Sequence, residues 1–120
     1  AMNWEVYPES IYEMIHKYNR YGLKKIIITE NGAAFIDKVQ EGRVRDTPRI
    51  HFLQQYLKQV LKARQEGCKV HGYFVWSLTD NFEWAEGYHP RFGLVYIDFN
   101  TQQRIIKDSG HWYSRLLRRS

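Results

Sequence analysis

Hydrophobic and polar positions along the first third of the chain predict one helix followed by one strand. Pro8 opens a stretch whose apolar residues recur at helical spacing, and Gly22 is a plausible end for that helix. Residues 25–29 are a short β-branched run without polar alternation. Such a run is typical of a strand buried on both faces in a parallel sheet. The dipeptide Asn31-Gly32 then predicts a turn.

The middle of the chain repeats this order. Residues 36–46 are polar and predict a loop, after which Asp46 and Pro48 predict a capped helix start. Gly67 ends the helix, and residues 70–78 predict a second strand. The helix carries one apolar stripe, formed by Ile50, Leu53, Leu57, Val60 and Leu61.

The last third predicts a loop, a hairpin and a final helix. Residues 79–92 are rich in glycine and aromatic side chains, residues 94–99 and 104–106 predict a hairpin, and Asp108 with Ser109 predicts a helix start. Alternation of helices and strands indicates an α/β fold, in which right-handed crossovers join parallel strands. Ligands bind at the carboxyl ends of such strands, so the chemistry is expected there.

Composition excludes several classes of protein. With 120 residues, 43% of them hydrophobic and 26% charged, the chain fits one globular domain spanning residues 1–120. No apolar run reaches the roughly 18 residues that span a bilayer, so we expect no membrane partner. Cys68 is the one cysteine and residues 1–5 do not resemble a signal peptide. These two features favour a reduced, cytoplasmic setting.

The formal net charge of +5 raises the question of a nucleic-acid partner. The basic residues are dispersed, and no zinc-finger or RRM pattern accompanies them, so we expect a solvated surface and no nucleic acid. His51, His71 and His89 lack the close spacing of a metal site. We therefore predict neither a metal nor a cofactor.

Two strand ends carry residues suited to sugar chemistry. Glu30 ends the first strand, where a rigid backbone would fix a carboxylate that acts as nucleophile or base. Its alternative role is a helix cap or an ion pair. Trp76, Glu83 and Trp84 lie at or after the end of the second strand. Indole rings stack on sugar faces and carboxylates accept bonds from hydroxyls, although a core aromatic cluster with surface acids is the alternative.

Several segments together resemble the C-terminal part of glycoside hydrolase family 1, the β-glucosidase and β-galactosidase family. They are Trp4–Glu9, Ile28–Ala33, Gly72–Leu78, Asp80–Tyr88, Arg91–Leu94 and Lys107–Ser109. The resemblance implies the C-terminal portion, about the last two βα units, of a (β/α)8 TIM barrel. Residues 25–29 and 70–76 would then be the seventh and eighth strands.

The resemblance also implies a role for each site residue. Glu30 would be the catalytic nucleophile of a retaining enzyme, and Trp76, joined to Ser77 by a cis peptide, would lie under the cleaved sugar. Glu83 would hold the hydroxyls at C4 and C6. The remaining sugar-binding residues would be Trp84 at the C3 hydroxyl, Phe92 as a wall of the same subsite and Trp4 as a wall of the leaving-group subsite.

These roles predict both a substrate and a partner. Because Glu83 would repel a phosphate at C6, we expect an unphosphorylated β-glucoside or β-galactoside. The acid/base glutamate of the family lies in an Asn-Glu-Pro motif that this sequence lacks. We therefore expect a C-terminal fragment or one chain of a split enzyme, inactive without the N-terminal remainder of the barrel. A non-catalytic sugar-binding or assembly module is the alternative.

Overall fold

The computed structural model describes residues 7–22, 25–80, 91–99 and 101–119. Within them three strands follow each of the first two helices and a third helix ends the chain, a mixture of helix and strand that agrees with the predicted α/β class. The helices are α1 (Glu9–Asn19), α2 (Thr47–Gln65) and α3 (Asp108–Arg118). The strands are β1 (Ile26–Asn31), β2 (Val39–Gln40), β3 (Arg43–Val44), β4 (Val70–Val75), β5 (Val95–Ile97) and β6 (Arg104–Ile106).

The central element is the parallel pair β1–β4, formed by the two predicted strands. Ile26 lies opposite Val70 and Ile28 lies opposite Tyr73. Helix α2 forms the crossover between the two strands, which the parallel arrangement requires. Strands β5 and β6 form the predicted antiparallel hairpin.

Strand β4 is shorter than predicted, because it ends at Val75 and not at Leu78. Beyond it the chain pairs with a different partner. The N–H of Leu94 donates to the carbonyls of Ser77 and Leu78 at 3.1 and 3.0 Å. The residues after Trp76 therefore leave β1 and join the segment that leads into β5.

Residues 36–46 are not wholly a loop, which corrects the prediction. Strands β2 and β3 form a small hairpin around Glu41 and Gly42, both of which have positive φ. Val44 is buried and gives the hairpin an anchor in the core. The pattern missed this pair because two-residue strands are too short to show a period.

The N-caps of α2 and α3 also differ from those that the sequence predicted. Asp46 occupies the N-cap position of α2, but its side chain makes no cap hydrogen bond there. Its carboxylate instead accepts a 2.8 Å bond from the N–H of Ser109, at the start of α3. Lys107, and not Asp108 or Ser109, occupies the N-cap position of α3.

The hydrophobic core lies between one face of the β1–β4 pair and the helices. Its buried residues are Ile11, Ile15, Phe52, Leu53, Tyr56, Val60, Ala63, Cys68, Val70 and Leu94. Of the predicted stripe on α2, Leu53 and Val60 are buried whereas Leu61 is exposed. Among the described residues, no helix is long and apolar enough to cross a membrane.

The opposite face of the β1–β4 pair is open. Ile27 and Phe74 are exposed on it, whereas Tyr73 and Val75 alternate with Phe74 and pack towards the core. Phe74 is 59% exposed and Leu78, after the strand, is 70% exposed. We use the name inner face for the exposed apolar residues Ile27 and Phe74 together with Trp76 and Leu78, which follow β4 and are also exposed.

Candidate active site

The carboxyl ends of β1 and β4 bring Glu30 and Trp76 into one region. Glu30 is the next-to-last residue of β1 and is exposed. Trp76 directly follows β4, and its N–H donates to the carbonyl of Asn31 at 3.0 Å. The backbone therefore holds the predicted nucleophile position next to the predicted sugar platform.

A close backbone approach at Gly32 reinforces this arrangement. A Cβ added to Gly32 would collide with the carbonyl oxygen of Trp76, so only glycine fits there. The Trp76–Ser77 peptide is cis, as the resemblance implied. Trp76 is 41% exposed in this chain.

The Asn31 side chain is held from the core side of the sheet. The hydroxyl of Tyr73 donates a short hydrogen bond to Oδ1 of Asn31. Burial raises the pKa of Tyr73, and Tyr113 and Tyr56 add to that effect. Tyr73 therefore remains a neutral donor that orients the residue following Glu30.

A third segment, residues 91–95, completes the region. The backbones of Phe35 and Arg91 exchange two hydrogen bonds of 2.9 and 2.8 Å. Phe92 is buried, and its carbonyl accepts a 3.4 Å hydrogen bond from the N–H of Ser77. The segment therefore touches the residues that follow β1 and those that follow β4.

The structure brings together only part of the predicted site. Glu30, Trp76 and Phe92 lie at this edge of the sheet, and the roles given to them stay predictions. Glu83, Trp84 and Trp4 lie outside the described residues. Among the residues that the structure does describe, no group of acidic, histidine or cysteine side chains could hold a metal ion.

Next to this edge lies a buried set of charged side chains, which we call the ion cluster. Its members are Asp37, Asp46, Arg49, Asp80, Arg91 and Lys107. The three aspartates and three basic residues balance in charge. Balanced pairing offsets the large cost of removing charges from water.

Lys107 lies at the centre of the ion cluster. Its Nζ donates to Oδ2 of Asp37 at 2.6 Å and to Oδ1 of Asp80 at 2.7 Å. Its side chain is 0% exposed. Because Asp37 follows β1 and Asp80 follows β4, one ammonium group joins the two segments that leave the strand ends.

The carboxylate of Asp80 accepts hydrogen bonds from four donors. Besides Lys107, it accepts from the N–H of Gly93 at 3.1 Å, from Nη1 of Arg91 at 2.7 Å and from the N–H of Ile97 at 3.2 Å. Burial alone would raise the pKa of Asp80. The hydrogen bond and charge of Lys107, with Arg91 and the Ile97 N–H, outweigh burial and hold the pKa below its usual value.

Arg49 extends the ion cluster to the other side. It lies 3.0 Å from the carboxylate of Asp37, pairs with Asp46, and donates to the carbonyl of Arg91 at 2.6 Å. Sequence reasoning missed these residues as a group. Lys107 and Asp37 are 70 positions apart, and no local period links residues at such a distance.

Comparison with known proteins gives relatives that match nearly the whole chain. The sequence profile of Glycosyl hydrolase family 1 matches residues 1–120. The chain is 56% identical to Beta-glucosidase A of Thermotoga maritima, over 98% of this chain and 27% of that protein. It is also 43% identical to a 6-phospho-beta-galactosidase of Clostridium acetobutylicum, over 95% of this chain and 24% of that protein.

The solved structures that resemble this chain include enzymes of the same family. A family 1 β-glucosidase from Thermotoga maritima matches 98% of this chain with a TM-score of 0.94 at 56% identity. The same enzyme in complex with isofagomine lactam matches with a TM-score of 0.93. The chain spans 27% of the length of each of these structures.

Proposed function

The chain belongs to glycosyl hydrolase family 1, and from that membership we propose that it is the nucleophile-bearing part of a retaining β-glycosidase. It would form about the last two βα units of the (β/α)8 barrel. The rest of the barrel would come from other polypeptide, in keeping with the quarter of each relative's length that the chain spans.

One observation carries the proposal. The 3.0 Å hydrogen bond from the Trp76 N–H to the Asn31 carbonyl fixes the end of β4 against the end of β1. A nucleophile on one strand end and an aromatic platform on the next can then act on the same sugar. Strand ends are also more rigid supports than free loops, which favours a fixed attack geometry.

The proposed reaction has two steps. The Glu30 carboxylate attacks the anomeric carbon while the bond from that carbon to the leaving oxygen breaks, and an acid protonates the leaving oxygen. In the second step, the group that protonated the leaving oxygen takes a proton from water, and this water attacks the glycosyl ester and frees Glu30. The sequence has no Asn-Glu-Pro motif, so the acid/base glutamate would lie in the rest of the barrel.

Sugar recognition would rest on the aromatic and acidic residues that the family resemblance marks. Trp76 would stack under the ring, and its exposure on the inner face supports that role. Glu83, Trp84, Phe92 and Trp4 would complete the subsites. Phe92 is buried, so it would act as a fixed wall and would not move with the substrate.

We propose an unphosphorylated β-glucoside or β-galactoside as substrate. Relatives include both β-glucosidases and 6-phospho-β-galactosidases, so family membership leaves this choice open. The sequence supports the unphosphorylated sugar, because the carboxylate of Glu83 would repel a phosphate group at C6. Rates on an aryl β-glucoside and its 6-phosphate decide between the two.

A chimera tests the proposal. Residues 1–120 would replace the matching quarter of the Thermotoga maritima β-glucosidase, which supplies the remaining barrel. We expect hydrolysis of an aryl β-glucoside with retention of configuration, read by NMR of the first sugar formed. Glu30→Gln should abolish turnover, whereas Glu13→Gln, on the exposed side of α1, should leave it unchanged.

The same experiment separates the alternatives. The 120-residue chain alone should show little or no hydrolysis. A folded chimera that hydrolyses nothing, or one that Glu30→Gln leaves active, would refute the nucleophile role. Glucose binding that depends on Trp76, without turnover in the chimera, would instead support a non-catalytic sugar-binding module.

A further inference from the structure

We propose that Lys107 is a positioning residue that fixes the Glu30 strand end relative to the Trp76 strand end. The inference rests on the proposed function, since it concerns the geometry of that reaction. Lys107 contacts neither Glu30 nor Trp76 in the hydrogen bonds and ion pairs of the described residues. Its action would pass through Asp37 and Asp80.

The path from Lys107 to each strand end is short. Asp37 lies seven residues after Glu30, and Asp80 lies four residues after Trp76. Lys107 Nζ bonds both carboxylates, at 2.6 and 2.7 Å. A shift of either segment by a fraction of an ångström would lengthen one of these bonds, so the ammonium group sets the spacing between the segments.

Further contacts make both ends of this path stiff. Asp37 also pairs with Arg49, and Asp80 is held by Arg91 and by two backbone N–H groups. A Cβ on Gly93 would collide with the backbone of Thr79 and Asp80, which shows how closely these segments approach. Because these contacts fix both carboxylates to the surrounding structure, the position of Lys107 also fixes the backbone segments that carry Asp37 and Asp80.

Energetics argue that stability alone does not explain a buried lysine here. Removing an ammonium group from water is costly, and well-packed apolar residues often serve as well as a buried ion pair. A directional bridge between two carboxylates does something that an apolar side chain cannot. It specifies the spacing of two segments, which is what pre-organisation of a reacting pair requires.

The test uses the same chimera with Lys107→Met. This variant keeps the length of the side chain and leaves each aspartate with an arginine partner. The matched control is Arg43→Met, which removes a basic group from the exposed ion pair with Asp108 at the start of the same helix. Asp37→Asn is the second variant, because it weakens the same bridge from its other end.

The readout separates positioning from folding. Titration with isofagomine lactam, a ligand of the Thermotoga maritima enzyme, counts competent sugar sites in each preparation. We expect a near-normal number of sites for Lys107→Met and Asp37→Asn, with kcat per site lowered by about tenfold to a hundredfold. The KM for an aryl β-glucoside should change little, and Arg43→Met should change neither value.

Two results would overturn the inference. One is a kcat per site equal to that of the unsubstituted chimera in both variants. The other is a loss of isofagomine lactam sites in proportion to activity in both variants, since that assigns the ion cluster to folding. An unsubstituted chimera without hydrolysis would instead refute the proposed function itself, and the two failures are therefore distinct.

Discussion

The carboxylate of Asp46 accepts hydrogen bonds from both the N–H and the hydroxyl of Ser109, which lies 63 positions later in the chain. The bond to the N–H is 2.8 Å long, and both residues are buried. Asp46 also pairs with Arg49, whose side chain is 2% exposed. One carboxylate thus joins the start of α2 to the start of α3 and balances a buried charge.

The first prediction is that Asp46→Ala strongly destabilises the chain. The substitution leaves a buried arginine with one carboxylate fewer and two donors of Ser109 unpaired. We expect the free energy of unfolding to fall by about 3 kcal/mol, the range in which breaking a buried ion pair lies. Urea unfolding followed by far-ultraviolet circular dichroism measures the change.

Asp108→Ala is the matched control for that prediction. Asp108 pairs with Arg43 at 2.9 Å, but the Arg43 side chain is 57% exposed. Exposed ion pairs contribute little, so this variant should unfold near the urea concentration of the unsubstituted chain. Equal losses in the two variants would contradict the importance given to burial.

The second prediction concerns acid. The folded-state pKa of Asp80 lies below its ordinary value, so the folded chain binds fewer protons at Asp80 than the unfolded chain does. The stabilisation is present above the unfolded pKa of about 3.9 and disappears as pH falls through the folded pKa. Unfolding free energy should therefore fall steeply below about pH 4.

Asp80→Asn tests the assignment of this pH dependence. The variant should be less stable at pH 7, because Lys107 and Arg91 lose a charged partner. Its stability should then change less between pH 5 and pH 3 than that of the unsubstituted chain. Parallel curves for the two proteins would show that other carboxylates cause the acid sensitivity.

Sequence reasoning was most successful where the pattern is local and repeated. The β-branched run at residues 25–29 predicted β1, and its parallel pairing with β4 is confirmed. The contact between Asp46 and Ser109 could not be predicted from the sequence, because Asp46 also fits the pattern of a helix cap. The role of Lys107 could not be predicted either, since no residue near it in the sequence indicates a bridge to Asp37 and Asp80.

The third prediction is that the 120-residue chain associates in solution. The inner face exposes Phe74 and Leu78, at 59% and 70%, and Ile27 and Trp76 are exposed as well. Exposed apolar surface of this kind favours contact with another molecule. Among the described residues, β1 and β4 pair only with each other, so each also has an unpaired strand edge.

Light scattering coupled to size exclusion measures this association. We expect a mass above 14.5 kDa that rises with concentration. Phe74→Ser with Leu78→Ser should shift the distribution towards the monomer. Met14→Ser, which removes an exposed apolar side chain from α1, should not. A monomer at all concentrations would show that the inner face is not self-associating.

The fourth prediction concerns Gly32, which follows β1 and closely approaches the backbone of Trp76. A methyl group at Gly32 would collide with the carbonyl oxygen of Trp76, so Gly32→Ala has to push the two strand ends apart. In the chimera with the Thermotoga maritima enzyme, kcat/KM for an aryl β-glucoside should fall by about 10²-fold, the effect of a displacement near 1 Å. Gly72→Ala is the control in the same sheet, because the atoms nearest to a methyl group there are side-chain atoms of Ile27 and Phe74. The control should keep most of its activity, since those side-chain ends can move aside. Equal losses in both variants, or none in Gly32→Ala, would contradict a catalytic geometry set by the contact between Gly32 and Trp76.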